Sequence, residues 1–283
     1  WPRHLTSSEM DAVLARFSSI LHGSPNAWYK YSEFDLAAGT WTDASGNGHD
    51  ATLRGTGLST LHTGGHGASG PVLALSGTTS SEVLFGTDHI IHPQFTVCSL
   101  QRYTGAANAR ILDGVDFNWL FGHWEGLVGV AYFNGWQTPL SSVDLSAPTN
   151  WLAMCGSNEV AGGSLRYLAS SGSVSTVLPV SGASVGQGDT ALAINAGQHS
   201  NGVNAFERSA FAIAELITWP RHLTSSEMDA VLARFSAILS GGSPLSPSPP
   251  PPPPSPPPSS PSPPPPPPPS PPPLGCGSSW PDA

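Results

Sequence analysis

The acidic residues of this chain do not have the arrangement that sugar-cleaving enzymes need. Glycoside hydrolases use two carboxylates, one as general acid and the other as nucleophile or base. The nearest approach to such a pair is Asp113-Gly-Val-Asp116, which lacks a glutamate and lies among loop-like residues. Glu215 stands alone between apolar residues in AIAEL, a setting that favours a structural acid paired with an arginine or with backbone amides. We therefore expect no catalytic residue and no enzyme, with a glycosidase as the third-ranked alternative.

A calcium site is a second candidate, in the stretch WTDASGNGHD. This stretch places Asp43, Asn47 and Asp50 at spacings that suggest a calcium loop, because carboxylate and amide oxygens are ligands that calcium takes. A helix-loop-helix calcium site would also need a bidentate glutamate further on, and none follows. Asn-Gly and Ser-Gly pairs are ordinary turn residues as well. We expect no cofactor, and calcium stays open as the alternative at these three residues.

The histidines offer another kind of metal ligand. His62 and His66 are four residues apart, but LHTGGHGASG is too rich in glycine for a helix, so helical ligand geometry does not follow. Solvated loop histidines are the favoured interpretation of this pair and of His89 and His92. The chain contains no Gly-x-Ser-x-Gly, P-loop or dinucleotide-binding motif, so acyl transfer and nucleotide chemistry have no support.

The nine tryptophans raise the question of sugar binding. Trp119, Trp124 and Trp136 fall in predicted middle strands and loops, where an aromatic face could stack on a sugar ring. Most tryptophans in β-sandwiches pack in the core or at its rim, whereas exposed aromatic residues mark interaction surfaces. Core packing is favoured, and carbohydrate contact by at least one of the three stays open as the alternative.

Charge and cysteine content exclude some partners and bear on the compartment. The net charge of -9 would repel a phosphate backbone, so we expect no nucleic-acid partner. No run of eighteen apolar residues occurs, so we expect this part of the protein to make no membrane contact.

Cys98 and Cys155 lie in strand-like runs and form either a disulfide of a secreted protein or two separate buried thiols. Cys276 lies outside the predicted globular part, which suggests a partner in another repeat or another chain.

The elements that must position these residues are mostly short strands. Apolar runs such as PVLALSG, FTVCSLQRY, LVGVAYF and FAIAELITW recur along the chain, with Gly, Asn, Ser and Asp between them. Short strands separated by turn residues, without a helical period between them, are typical of an all-β sandwich. About ten strands in roughly two hundred residues favour a jelly roll of two packed sheets.

One helical segment occurs twice. WPRHLTSSEMDAVLARFSSIL at residues 1–21 returns at residues 219–239, where only Ala237 differs, replacing Ser19. Thr-Ser-Ser-Glu has the pattern of a capping box, and apolar residues then recur at helical spacing. A short helix with one apolar face must dock against something else to be stable in water. We therefore predict that 219–239 closes the sandwich and that 1–21 is the closing helix of a preceding repeat.

The composition changes abruptly from residue 243. Positions 244–273 hold 22 prolines, seven serines and Leu245. Because proline fixes φ and has no amide donor, this tract can form neither helix nor sheet, and we predict a polyproline II rod. At 3.1 Å per residue, the rod would span about 90 Å. No Asn-X-Ser/Thr sequence occurs, so any sugar on this chain would be O-linked.

Several of these stretches resemble known families. AWYKYSEFDLAAGTWTDASGNGHDATLRG is similar to the opening of laminin-G-like, concanavalin A-like domains. FTVCSLQRYTG, RILDG and NWLFGHWEGLVGVAYFNGW resemble middle strands of the algal members, and FAIAELITWPRHLTSSEMDAVLARFSAIL resembles their closing strand and helix. The Ser-Pro-Pro runs resemble the hydroxyproline-rich glycoproteins of plant and green-algal cell walls. Such domains joined by Ser-Pro-rich rods resemble proteins of green-algal mastigonemes, the hairs on flagella, and algal extracellular matrix glycoproteins.

The resemblance implies a fold and a division of the chain. The implied fold is an all-β, concanavalin A-like two-sheet jelly-roll sandwich with a C-terminal amphipathic helix, followed by a polyproline II rod. The expected divisions are a closing helix of a preceding repeat at 1–21, the laminin-G-like sandwich at 22–242 with its helix at 219–239, the rod at 243–274, and the start of a next segment at 275–283.

The resemblance also implies a role. We expect a non-enzymatic structural repeat of an extracellular filament or matrix glycoprotein, at the cell surface, in a flagellar hair or in the cell wall. Its expected partners are other repeats of the same chain, other filament or matrix glycoprotein chains, and covalent O-linked glycans. A carbohydrate-binding lectin or adhesin module is the alternative. The prolines expected to be hydroxylated and glycosylated are Pro249, Pro250, Pro251, Pro252, Pro253, Pro254, Pro256, Pro257, Pro258, Pro263, Pro264, Pro265, Pro266, Pro267, Pro268, Pro269, Pro271, Pro272 and Pro273.

Overall fold

The structure is a computed structural model, and it describes residue 23 and residues 25–86, 89–141, 148–159, 165–168, 174–177, 188–199 and 202–241. The first copy of the helical segment, the proline-rich tract at 243–274 and the segment at 275–283 with Cys276 lie outside the described residues. The predictions made for those parts, including every proline expected to carry a glycan, therefore stay predictions.

Within these described ranges the protein is built from antiparallel β-strands and one α-helix. The all-β class predicted from the sequence is confirmed. The strands are β1 (Ala27–Asp35), β2 (Thr40–Asp43), β3 (Ala51–Gly55), β4 (Ser59–Gly65), β5 (Ala68–Gly77), β6 (Ser81–Phe85), β7 (Thr96–Asn108), β8 (Leu112–Gly114), β9 (Trp119–Trp124), β10 (Leu127–Phe133), β11 (Leu152–Ser157), β12 (Leu165–Leu168), β13 (Val174–Val177), β14 (Leu192–Ile194), β15 (Gln198–His199), β16 (Gly202–Val203) and β17 (Ser209–Trp219), and the helix is α1 (Ser225–Leu239).

Hydrogen bonds join most of these strands into one continuous sheet. Its order is β10-β9-β8-β14-β6-β3-β2-β1-β17-β7-β11-β12-β13, with β5 beside β17 and β4 beside β5. The short strands β15 and β16 form a separate hairpin. Many neighbours in this order are distant in sequence, so most of the pairing depends on long-range contacts rather than on adjacent hairpins.

The sheet folds over an aromatic core. The side-chain Nε2 of Gln101 on β7 donates a hydrogen bond to the carbonyl oxygen of Phe121 on β9, at 3.0 Å, although these strands are not neighbours in the sheet. The two halves of the sheet therefore face each other, as in a sandwich or a nearly closed sheet. Between them, Trp119 and Phe133 are fully buried and stack with ring centroids 5.1 Å apart. Such aromatic contacts add to the stabilisation from apolar burial.

The central strand β17 is covered on both faces. Phe211 and Ile213 belong to the aromatic core, whereas Ala212 and Ala214 point into a second apolar cluster under α1. A strand without a solvated face has no polar alternation, which explains the nearly continuous apolar run FAIAELITW. The small alanines on the helix-facing side leave room for the larger side chains of α1.

Helix α1 docks on the outer face of the sheet. The predicted capping box is formed: the Thr224 hydroxyl accepts a hydrogen bond from the Glu227 amide, and the Glu227 carboxylate accepts one from the Thr224 amide. The helix therefore starts at Ser225, and Trp219 at the start of the repeated segment is the last residue of β17. The apolar stripe of α1 is buried, and each fully buried Leu, Ile, Phe, Met or Val contributes about 1.5–3 kcal/mol. Its buried apolar members are Met228, Ala230, Val231, Leu232, Phe235 and Ile238.

A disulfide lies beneath the helix. Cys98 on β7 and Cys155 on β11 are directly opposite each other across the two strands, and their sulfurs are bonded. Both side chains are fully buried in the cluster that α1 covers. Of the two arrangements that the sequence left open, the structure therefore contains the disulfide. Separately, none of the helical segments described has the length and apolar character needed to cross a bilayer.

Candidate functional site

Glu215 connects the sheet to the helix. Its carboxylate Oε1 accepts hydrogen bonds from Arg234 Nε on α1, at 2.8 Å, and from Trp28 Nε1 on β1. Glu215 is fully buried, and Arg234 is nearly so. The expected structural acid paired with an arginine is thus confirmed. A carboxylate closed off beneath a helix is not placed to protonate a glycosidic oxygen, because a general acid must reach its substrate.

Asp113 and Asp116 lie in different environments. Asp113 is fully buried, and its Oδ2 accepts a hydrogen bond from the Gly197 amide at 3.0 Å. Burial raises the pKa of Asp113 to about 8, and the nearby Arg110 guanidinium opposes that rise in part. Asp116 is half-exposed, and its Oδ2 accepts a hydrogen bond from the Ala191 amide at 2.9 Å. One buried and one surface carboxyl do not line a common space for a substrate.

The three residues of the candidate calcium loop are occupied by turn contacts. The two carboxylate oxygens of Asp43 accept hydrogen bonds from the amides of Trp28 and His49 and from the amide and hydroxyl of Ser45. The Asp50 carboxylate accepts one from the Asp43 amide. The Asn47 amide group donates to the carbonyl oxygens of residues 25 and 26. Because the Asp43 oxygens point at protein donors, this donor set does not fit a cation, and the loop has the geometry of Asx turns.

The candidate histidines lie in two parts of the fold, His62 and His66 in the β4–β5 hairpin, and His89 and His92 in the loop before β7. His89 lies between two carboxylates, with Nε2 3.2 Å from Asp116 Oδ2 and Nδ1 3.1 Å from Asp189 Oδ1. His62 lies on the outer strand β4, and His66 occupies a turn with φ of 55°. In the part of the chain that the structure describes, no three His, Cys, Asp or Glu side chains are grouped as metal ligands.

The three candidate tryptophans differ in burial. Trp119 is fully buried in the aromatic core, so its ring is excluded from carbohydrate contact. Trp124 and Trp136 are half-buried at the surface and pack with ring centroids 5.1 Å apart. Tyr132 packs edge-on against Trp136, also at 5.1 Å. We call Trp124, Tyr132 and Trp136 the aromatic surface.

The aromatic surface depends on a chain segment that folds back along the edge strand β10. The Gln137 amide donates to the carbonyl oxygen of Ala131 at 2.9 Å, and Tyr132 and Trp136 lie opposite each other in an isolated bridge. This return places the Trp136 ring between Trp124 and Tyr132. Sequence reasoning missed Tyr132. Strand alternation places it opposite Ala131 and Phe133, but Val130 shares its face and is fully buried, so the run VAYF gave no signal of its exposure.

A groove of about 470 Å³ lies where several turns meet at one end of the strands. Phe206 stands at its margin with 91% of its surface exposed. Three alanines line the groove together with Thr79, Asn108, Glu125, Phe206 and Arg208. We call this feature the Phe206 groove. Sequence reasoning missed it, and the only signal was a lone aromatic residue among polar neighbours in NAFER.

The hairpin turn that forms one wall of the groove carries backbone strain. Glu125 and Gly126 have φ values of 47° and 78°, as both central residues of a type I′ turn require. Glycine adopts this conformation freely, whereas an ordinary residue such as Glu125 does so at a cost of roughly 1–2 kcal/mol. The Gly126 amide anchors the turn by donating to the Asn108 carbonyl oxygen at 2.7 Å. The anchored turn therefore places the Glu125 side chain beside the groove, and strained positions of this kind often occur at functional sites.

The solved structures compared with this chain are remote in sequence. No family model matches the chain, and no curated protein matches it. Among solved structures, Trypanosoma rangeli sialidase in complex with 2,3-difluorosialic acid is 12% identical with a TM-score of 0.43, over 82% of this chain and 39% of that one. The binding domain of botulinum neurotoxin serotype D/C is 12% identical with a TM-score of 0.46, over 77% of this chain and 53% of that one. The chain thus spans about two fifths to one half of these proteins, and the likeness is too low to indicate an activity or a ligand.

Proposed function

We propose that this chain is a non-enzymatic structural repeat of an extracellular filament or matrix glycoprotein. In this proposal its β-sheet is a concanavalin A-like jelly roll, and the Ser/Pro-rich tract at 243–274 is a glycosylated polyproline II rod. The observation that carries the proposal is the duplication of the closing helix. Residues 219–239 contain the end of β17 and the whole of α1, and the same sequence occurs at 1–21 with one substitution.

The duplication favours tandem domains because α1 is an integral part of the fold. Val231, Leu232 and Phe235 are fully buried against the sheet, and the buried Arg234 binds Glu215 on β17. A segment selected for these contacts has no use for them without a second sheet that presents the same surface. The proposal therefore assigns residues 1–21 to a neighbouring domain of the same type. Near-identical contacts repeated along a chain are what a filament needs.

An extracellular setting is supported by two independent features. The buried Cys98–Cys155 disulfide is of a kind that persists in oxidising compartments. The proline-rich tract offers many adjacent prolines for hydroxylation and O-linked glycans, as its resemblance to cell-wall glycoproteins implies. In the proposed filament, stiff rods would space the domains, and the partners would be other repeats and other glycoprotein chains.

Mass spectrometry of the native glycoprotein tests this proposal. We expect peptides from 244–273 to carry hydroxyproline and pentose-containing glycans, and electron microscopy of the same material to show domains joined in threads. Unmodified prolines, or a protein that occurs only as a single isolated domain, would contradict the proposal. An absence of glycan hydrolysis in the wild-type protein is also expected; hydrolysis of a glycan by the purified, folded wild-type protein would favour the glycosidase instead.

A lectin or adhesin module is the second candidate, and the aromatic surface favours it. Trp124, Tyr132 and Trp136 present three adjoining half-buried rings, and clustered surface aromatics commonly mark contact sites. Glycan-array binding by the unglycosylated protein tests this candidate. A lectin would lose binding in Trp124→Ala but not in Leu36→Ala, which trims an exposed apolar side chain elsewhere. Equal signals from the two variants would count against the aromatic surface as a sugar site.

A further inference from the structure

We infer that the Phe206 groove is a binding site for a neutral saccharide, separate from the aromatic surface. The inference does not depend on the filament role or on glycosylation of the proline-rich tract. It rests on two properties of the described residues around the groove: an exposed aromatic ring on a hydrogen-bonded turn, and a set of polar groups that supplies both donors and acceptors.

Phe206 is held in its exposed position by contacts on both sides. The Asn204 side chain accepts a hydrogen bond from the Phe206 amide at 3.0 Å, and the Asn204 amide donates to the Gly197 carbonyl oxygen at 2.7 Å. On the other side, Glu207 is fixed by the Arg110 guanidinium at 2.9 Å and by the Arg110 amide at 3.1 Å. The ring is therefore displayed by an ordered turn. An ordered aromatic residue that is 91% exposed offers a flat apolar face that a ligand can cover.

The polar residues of the groove match the needs of a sugar hydroxyl. Each hydroxyl both donates and accepts a hydrogen bond. Arg208 supplies donors, Glu125 supplies acceptors, and the Asn108 amide and Thr79 hydroxyl supply both.

Charge decides between a neutral and a charged ligand. Glu125 and Arg208 contribute one negative and one positive charge, so the formal charge of the lining is zero. A lining without excess charge has no net attraction for a uronic acid or for a charged peptide, so it favours an uncharged ligand. A neutral pyranose or furanose has apolar C–H faces for Phe206 and hydroxyls for the rest. The volume of about 470 Å³ lies within the range of small-molecule sites.

Binding is tested on the full chain, produced without glycans and with its disulfide intact. The probes are linear trioses of arabinose, galactose, glucose and mannose, with a galacturonic acid triose for comparison. We expect at least one neutral triose to bind saturably, with amide chemical-shift changes at Asn108, Glu125, Phe206 and Arg208. Phe206→Ala should weaken that binding about tenfold, because the stacking face is lost.

Two further variants keep the test decisive. Phe206→Trp retains an aromatic face and should retain binding, whereas Leu36→Ala removes exposed apolar surface elsewhere and should leave binding unchanged. Failure of every neutral triose to bind would overturn the inference. So would equal affinity in wild type and Phe206→Ala, or a preference for the galacturonic acid triose. None of these results would bear on the proline-rich tract, whose modification is measured separately.

Discussion

The buried ion pair between Glu215 and Arg234 gives the sharpest prediction about stability. Glu215→Gln leaves the Arg234 guanidinium buried without its carboxylate, and Arg234→Met leaves the Glu215 carboxylate buried without its guanidinium. Each single change should destabilise the fold strongly. The double variant removes both charges together, so it should be less destabilised than the sum of the two single variants.

The expected size follows from the burial of the pair. Glu215 Oε1 lies 2.8 Å from Arg234 Nε, and the two side chains are 0% and 7% exposed. Removing one partner of a buried pair costs about 3–5 kcal/mol, whereas replacing both is often close to neutral. We expect about 3 kcal/mol from each single variant and a coupling energy of about 2–3 kcal/mol between them. Trp28 Nε1 can still donate a hydrogen bond to a glutamine at position 215, so we expect the cost of Glu215→Gln to lie at the lower end of this range.

The pair Arg166–Asp229 provides a matched control. It also joins α1 to the sheet, with Arg166 Nε 2.6 Å from Asp229 Oδ1, but Asp229 is 42% exposed. Solvent screening limits such pairs to about 0–1 kcal/mol, so Asp229→Asn should cost far less than Glu215→Gln. Urea unfolding followed by circular dichroism measures all of these free energies. Additive single variants, or equal losses in Asp229→Asn and Glu215→Gln, would refute the reasoning from burial.

Three other changes test separate parts of the fold. Asp113 has its pKa raised to about 8 by burial, against about 4 unfolded, so its contribution to stability is complete below about pH 4 and lost as the pH rises towards 8. Asp113→Asn should flatten that decline in urea unfolding between pH 4 and pH 8, and an unchanged slope would contradict the raised pKa. Replacing Cys98 and Cys155 by serine should cost about 4 kcal/mol in urea unfolding, since the disulfide closes a loop of 57 residues; a loss below about 1 kcal/mol would contradict a stabilising role. Thr224→Ala should cost about 1 kcal/mol through loss of the helix cap; equal thermal unfolding of Thr224→Ala and Ser225→Ala would contradict this.

The sequence predicted local features more successfully than it predicted which side chains are exposed. The capping box at Thr224 and Glu227 is readable because its partners are three residues apart. The all-β class is readable because strand runs and turn residues alternate along the chain. A structural role for Glu215 was expected from its apolar neighbours, but its partner Arg234 lies on another element, and only docking of the helix brings the two together.

Exposure could not be predicted in the same way. Trp119 and Trp124 lie five residues apart on one strand, yet one is in the core and the other at the surface. An odd separation along a strand places the two side chains on opposite faces of the sheet, but which face is buried depends on how the sheet folds over the core, which local patterns do not reveal. Phe206 is typical of a core residue by type, and its exposure results from a turn anchored on distant strands.

By itself, the sequence determined the strand-rich character of the globular part, the capped helix that ends it, and the repetitive Ser/Pro composition of the proline-rich tract. These properties follow from neighbouring residues, because backbone preference and side-chain periodicity act over a few positions. Only the tertiary structure decided that Cys98 faces Cys155, that Arg234 neutralises Glu215, and that Glu125, Phe206 and Arg208 line one groove. Those contacts join residues far apart in the chain, and strand order and register, which side-chain packing selects, place them.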